Sequence, residues 1–184
     1  ARRPATREIP RLREALAGLG ARFDGRLRVT AVDRGSGRRV VFGAPGAPEA
    51  DVVDAVLASC AVPWMFRPVE IGGRTYVDGG VWSAANLDAA PVRRGSVVLC
   101  LLPTATPRLA FDRLGAMRGF TRATTRAETL ILRRRGADVR TVAPDAASVA
   151  AIGPSLFDAG RRRAVSVAGY AQGRALAAGD AANP

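Results

Sequence analysis

Histidine and lysine are both absent from these 184 residues, so each of the 28 basic side chains is an arginine. The first absence removes the commonest general base, and with it any Ser-His-Asp or Cys-His site built from this chain. The second removes the Schiff-base amine and the lysine of a phosphate-binding loop. The 16 Asp and Glu residues remain for proton transfer. Neither G-x-S-x-G nor G-x-G-x-x-G occurs. Gly153-Pro-Ser-Leu-Phe157 comes nearest to the former, but it lacks the second glycine and its proline suits a loop better than an elbow. No apolar run reaches the eighteen residues of a membrane span. The two cysteines, Cys60 and Cys100, have no metal-ligand spacing and are expected to be buried free thiols, which fits a reducing compartment. Ala1-Arg-Arg-Pro-Ala-Thr6 has no initiator methionine and no apolar segment behind it, the pattern of a cut edge of something longer.

What is present is a 48% hydrophobic chain with a net charge of +12, enough apolar residues for one domain with a real core. Arginines cluster at 38–39, 93–94, 133–135 and 161–163. Such clusters suit an anionic membrane surface or nucleic acid, or are solvated helix faces in a chain that prefers arginine to lysine. Aromatics are only 5% of the chain and no nucleic-acid motif is present, so nucleic acid is disfavoured.

Periodicity gives a coarse layout. Ile9, Leu12, Leu16 and Leu19 have helical spacing, with Gly20 as a stop. Leu27–Val32 and Arg39–Phe42 flank the turn residues 33–37, which predicts a hairpin. A helix is expected over Asp51–Cys60, with Val52, Val53, Val56 and Leu57 on its apolar side. Pro63–Pro68 is too rich in proline for regular structure, and Val69–Ile71 and Thr75–Val77 form a second hairpin about Gly72-Gly73. The apolar run Val97–Leu102 predicts a strand buried on both faces of a parallel sheet. Helices are expected over Phe111–Leu132 and Phe157–Ala178, the first ending at Gly136 and the second before Gly179, with a strand over Asp138–Ala143 between them. Strands alternating with helices argue an α/β fold.

One position stands out. Asp78 ends the second hairpin and runs into Gly79-Gly80. Locally it reads as a turn residue or as a strand-end carboxylate facing a cleft, with two glycines free to adopt backbone angles barred to other residues. Ser59 and Ser83 flank the block, in no elbow, and read as capping or turn residues. Trp64, Phe66 and Trp82 read as an acyl-cleft lining or as core and loop packing.

The run AVLASCAVPWMFRPVEIGGRTYVDGGVWSAANLDAA, Ala55–Ala90, resembles the patatin-like phospholipase family. That family's block is an Ala-Ser-x-Ala-x-Pro-x-x-Phe turn followed by a Gly-Arg-x-Tyr-x-Asp-Gly-Gly strand. The likeness extends upstream through the hairpin Leu27–Phe42 and fades downstream to general α/β character. It implies a three-layer α/β/α fold, with residues 1–184 forming a single partial catalytic domain. Its N-terminal part, with the Gly-rich loop and the nucleophile elbow, is expected to be missing, at least roughly 60 residues if each such unit takes about 30.

The family uses a Ser-Asp dyad without histidine, which matches the empty histidine column. The resemblance therefore implies that Asp78 is the general base, that Gly79 and Gly80 are the turn presenting it, and that the nucleophile is not in this chain. It implies an acyl lipid or phospholipid substrate and no metal or organic cofactor. Asn86 falls where the family often has an asparagine that holds this loop. A cytoplasmic enzyme that meets membranes peripherally is expected, inactive as this chain alone; the oligomeric state stays open. The alternative is a non-catalytic arginine-rich α/β module that binds anionic lipid or nucleic acid.

Overall fold

The computed structural model describes residues 9, 12–103, 115–154 and 158–181. Strands β1 (Val29–Asp33) and β2 (Arg39–Phe42) form an antiparallel hairpin. Its turn is organised by Asp33, whose carboxylate accepts the Gly35 N–H at 2.9 Å and the Arg74 guanidinium at 2.9 Å. Strands β3 (Val69–Ile71) and β4 (Arg74–Asp78) form a second hairpin. Gly72 and Gly73 both have positive φ, as a primed two-residue turn requires. β4 also pairs antiparallel with β1, giving one sheet of order β2-β1-β4-β3.

Helix α2 (Val52–Ser59) lies across this sheet, started by Asp51, whose side chain accepts the Val53 N–H. Together they enclose a core of Val29, Ala31, Phe42, Ala55, Ala58, Ile71 and Tyr76. Phe42 and Tyr76 meet edge to face, 5.2 Å between centroids. Helix α1 (Leu12–Ala17) packs on α2, and Arg13 reaches Asp54 at 2.8 Å.

A second unit follows. Strand β5 (Val97–Leu101), helix α3 (Gly115–Arg134) and strand β6 (Asp138–Val142) make a parallel βαβ arrangement in register from Val97 with Asp138 to Leu101 with Val142. One face packs on α3 through Cys100, Leu102, Leu132, Ala137 and Val139, joined by Leu87. Helices α4 (Ala146–Ile152) and α5 (Arg162–Ala181) pack on each other. Gln172 ties α5 back, donating to Ala143 O at 2.8 Å and accepting from the Ser148 hydroxyl at 2.9 Å. Among the described residues, no helix is long and apolar enough to cross a membrane.

The chain is thus α/β, with several departures from the periodicity reading. Val97, Leu99 and Leu101 are exposed, so β5 is covered on one face only rather than both. The apolar run specified a strand, but what covers its second face depends on which elements pack there. On α2 the buried positions are Val52, Ala55, Leu57 and Ala58, while Val53 and Val56 are only half-buried. The alanines win because α2 approaches the sheet closely. Gly179 lies inside α5 rather than past its end, and α4, capped by Asp145 through the Ser148 N–H, is an additional helix. Cys60 is half-buried, although Cys100 is buried and both are free thiols. Parts of three expected helices, at 10–11, 111–114 and 157, lie outside the described residues.

These exposures set an expected contrast. Leu132 has no exposed surface and Leu99 is 61% exposed, so Leu132→Ala should cost about 2–5 kcal/mol. Leu99→Ala should cost within about 0.5 kcal/mol, as surface substitutions do. Urea unfolding of the two variants checks the difference.

Candidate active site at the end of strand β4

The site begins with strand pairing. Asp78 is the last residue of β4, opposite Ala31 of β1, and its N–H donates to Ala61 O at 3.1 Å. The segment leaving α2 is thereby closed against the strand end. Asp78 then caps a 3-10 turn, Gly79–Val81, its Oδ1 accepting the Gly80 N–H at 2.6 Å.

Neither glycine has a positive φ, which corrects the expectation that they supply unusual backbone angles. Their reason is space. A Cβ on Gly79 would stand 2.5 Å from Thr30 O and 2.6 Å from Thr30 Oγ1, inside contact distance. A Cβ on Gly80 would stand 2.9 Å from Asp78 Oδ1. The first glycine lets the turn lie on β1, and the second leaves the carboxylate room to sit over the Gly80 N–H.

Burial pushes the Asp78 carboxyl above its ordinary value, and the Gly80 N–H offsets part of that rise. No cation pairs with it among the described residues. Several other acids do have one: Asp33 is bridged by Arg74, Asp54 by Arg13, Asp88 by Arg39 and Asp158 by Arg161. Beside it, the half-buried Cys60 thiol is pushed up by burial and then by the negative charge of Asp78, so it is a poor nucleophile here.

A polar network holds the loop that follows. Asn86 sits in the left-handed region at φ 48° and donates Nδ2 to Gly79 O at 3.2 Å and to Ser83 O at 2.5 Å. Its Oδ1 accepts from Arg39 at 3.2 Å, and Arg39 grips both oxygens of Asp88 at 2.6 and 2.7 Å. That pair raises the Arg39 pKa and lowers that of Asp88. Ser83 is buried; its Oγ accepts the Ala85 and Asn86 N–H groups at 3.3 and 3.2 Å, and its hydroxyl bonds Glu128. Glu128, on α3, also accepts the Leu87 N–H at 3.0 Å, and burial raises its pKa.

The sequence-derived candidates are therefore placed as follows. Asp78, Gly79 and Gly80 are brought together, and Asn86 holds their loop. Ser83 organises the turn, and Ser59 ends α2. Phe66 is half-buried, whereas Trp64 and Trp82 are exposed, so packing in the core does not account for either tryptophan. Arg39 is drawn into the site rather than lying on a solvated face. Glu128 is the residue that sequence reasoning missed. In the structure Thr125, Glu128 and Leu132 are buried at helical spacing, so a carboxylate stands on the inward stripe of α3. Among the described residues no group of three His, Cys, Asp or Glu could hold a metal ion.

Residues 5–91 match the family model of the patatin-like phospholipases, lipid acyl hydrolases. The match covers α1 through the loop held by Asn86, and stops before the βαβ unit. The patatin-like resemblance is thus shown over just under half of the 184 residues. No curated protein gives a significant match.

Two outcomes follow for stability. Gly79→Ala should cost about 1–3 kcal/mol, the usual penalty of overpacking. Gly80→Ala should cost less, because the atom it meets ends a side chain that can turn away; urea unfolding compares the two. The raised carboxyl of Asp78 also has a sign. Its contribution to stability is fully present below the ordinary carboxylate pKa of about 4 and is lost as pH rises through the higher folded value. Asp78→Asn should therefore melt above wild type at pH 7, with the gap closing as the pH is lowered past the ordinary value. Thermal unfolding across that range checks it.

Proposed function

We propose that this chain is part of a serine lipid acyl hydrolase, a phospholipase or esterase, in which Asp78 is the general base of a Ser-Asp dyad. The observation that carries the reading is the state of that carboxylate: partly buried, raised in pKa, held by one backbone N–H and paired with no arginine among the described residues. Desolvation makes a carboxylate a better proton acceptor, and a Ser-Asp dyad uses that carboxylate directly as the base. The match of residues 5–91 to the patatin-like phospholipases supports the same chemistry.

The nucleophile in this reading is a serine outside these residues, since they contain no G-x-S-x-G. As its Oγ bonds to the ester carbonyl carbon, the Oγ proton passes to Asp78 and the carbonyl electron pair moves to oxygen. Collapse of that tetrahedral species breaks the bond to the alcohol, which leaves with the proton from Asp78, and the acyl group stays on serine. Water repeats the sequence on the acyl-serine, giving a fatty acid and free serine. The scheme uses no metal or organic cofactor. Gly79, Gly80 and Asn86 fix where the carboxylate points, and the Glu128 network anchors their loop to α3. The substrate is a phospholipid or other acyl lipid met at a membrane surface. The free thiols Cys60 and Cys100 support a reducing, cytoplasmic setting.

In a form of the protein that carries a nucleophile elbow, Asp78→Asn is expected to fold and to lose roughly 10²- to 10⁴-fold in kcat on a chromogenic short-chain ester. Residues 1–184 by themselves are expected to turn over none. Wild-type kcat in the folded Asn variant would overturn the base assignment. Turnover by residues 1–184 that disappears in Asp78→Ala would put the nucleophile among them.

A further inference from the structure

The sequence contains two tryptophans, and both are exposed: Trp64 at 79% and Trp82 at 46%, with Val81 at 51% beside the latter. All three lie within four residues of one point, the hydrogen bond between Asp78 N and Ala61 O. The loop after Ala61 carries Trp64, and the turn after Asp78 carries Val81 and Trp82. Large aromatics bury far more area than other residues and are not usually left in water without a use.

Trp64 is moreover held at φ 67°, a conformation that a bulky residue adopts only when its surroundings impose it. The adjacent turn supplies the constraint, with the Met65 and Phe66 N–H groups both donating to Val62 O. Trp82 is held from the other side: Arg39 lies 5.6 Å from its ring centre and is itself fixed by Asp88 and Asn86. Both rings are therefore set outward on ordered turns, and neither dangles from a loose loop.

We infer that Trp64, Val81 and Trp82 form an insertion face that seats the rim of the Asp78 site in the headgroup and upper acyl region of a lipid surface. Indole rings suit that boundary because they are apolar with one N–H to satisfy. Charge selects this occupant over an apolar protein partner. Arg67 is exposed three residues beyond Trp64, and the chain carries +12, complementary to lipid phosphates. The inference deepens the acyl-lipid hydrolase reading, on which it rests for its substrate. It explains how an ester in a bilayer reaches a carboxylate at a strand end: the face that grips the surface and the base share one hydrogen-bonded junction.

Because Trp64 and Trp82 are the only tryptophans, their fluorescence reports the face directly. The experiment adds vesicles of phosphatidylcholine, with and without phosphatidylglycerol, to the purified protein, and repeats the titration with acyl chains brominated near the headgroup. Emission should shift to the blue, be quenched by the brominated lipid, and persist in salt that weakens purely ionic attachment. Trp64→Ser and Val81→Ser should each weaken partitioning roughly tenfold or more while leaving the melting temperature in place. Trp82→Phe should bind nearly as wild type, so that emission then isolates Trp64.

Three results would overturn the inference: no association with either vesicle, association without a change in tryptophan emission, or emission already blue before lipid is added. The last would mean that another protein segment or a second copy covers the face. Asp78→Asn separates this idea from the catalytic one, since it should bind vesicles as wild type does. In the form that carries a nucleophile elbow, loss of insertion with esterase retained removes the face alone, and loss of the base assignment with insertion retained removes the dyad alone.

Discussion

No side chain fits between residue 79 and the backbone of Thr30. That contact is where the turn after β4 meets β1, and the position of Asp78 follows from it. The carboxylate stands one residue before the contact, in the last rung opposite Ala31, with its N–H spent on Ala61 O. Any residue larger than glycine at 79 pushes the turn off β1 and takes the Gly80 N–H away from Oδ1. The loop beyond is then fastened to the same point by Asn86, through Gly79 O.

The chain's charge frames the resulting site. Among the described residues several acids, Asp33, Asp54, Asp88 and Asp158 included, are paired with an arginine, and Asp78 is not. Asp78 avoids one by ending a strand whose junction is closed by backbone groups on one side and turned by glycines on the other. Arg39, which is near enough to join the network, is committed to Asp88 and Asn86. The network thus holds the loop and keeps Arg39 paired with Asp88 and Asn86.

Much of this layout was legible beforehand because it depends on local chemistry. The two hairpins, the parallel pair β5 and β6, and the stop of α3 at Gly136 follow from alternation and turn residues within a few positions of each other. Asp78-Gly79-Gly80 was legible as a motif, and Asn86 as a loop-holding residue only through the family resemblance. Val53 and Val56 on α2 were misjudged because how closely a helix approaches a sheet is set by the small residues between them, here Ala55 and Ala58. The exposed face of β5 was misjudged because an apolar run does not say what covers it. Glu128 was missed since its partners, Ser83 and Leu87, lie 45 and 41 positions away, a separation that no local pattern encodes.

The sequence by itself determined the chemistry on offer: no histidine, no lysine, no nucleophile elbow, and a carboxylate followed by two glycines at a strand end. These are matters of residue type and short spacing, and folding cannot change them. Only the tertiary structure decided what that carboxylate is. Its raised pKa comes from burial among segments far apart in the chain, and the need for Gly79 comes from a neighbouring strand. The outward setting of both tryptophans is of the same kind. Burial, pairing and clearance are properties of distances between segments, and those distances exist only once the chain has folded.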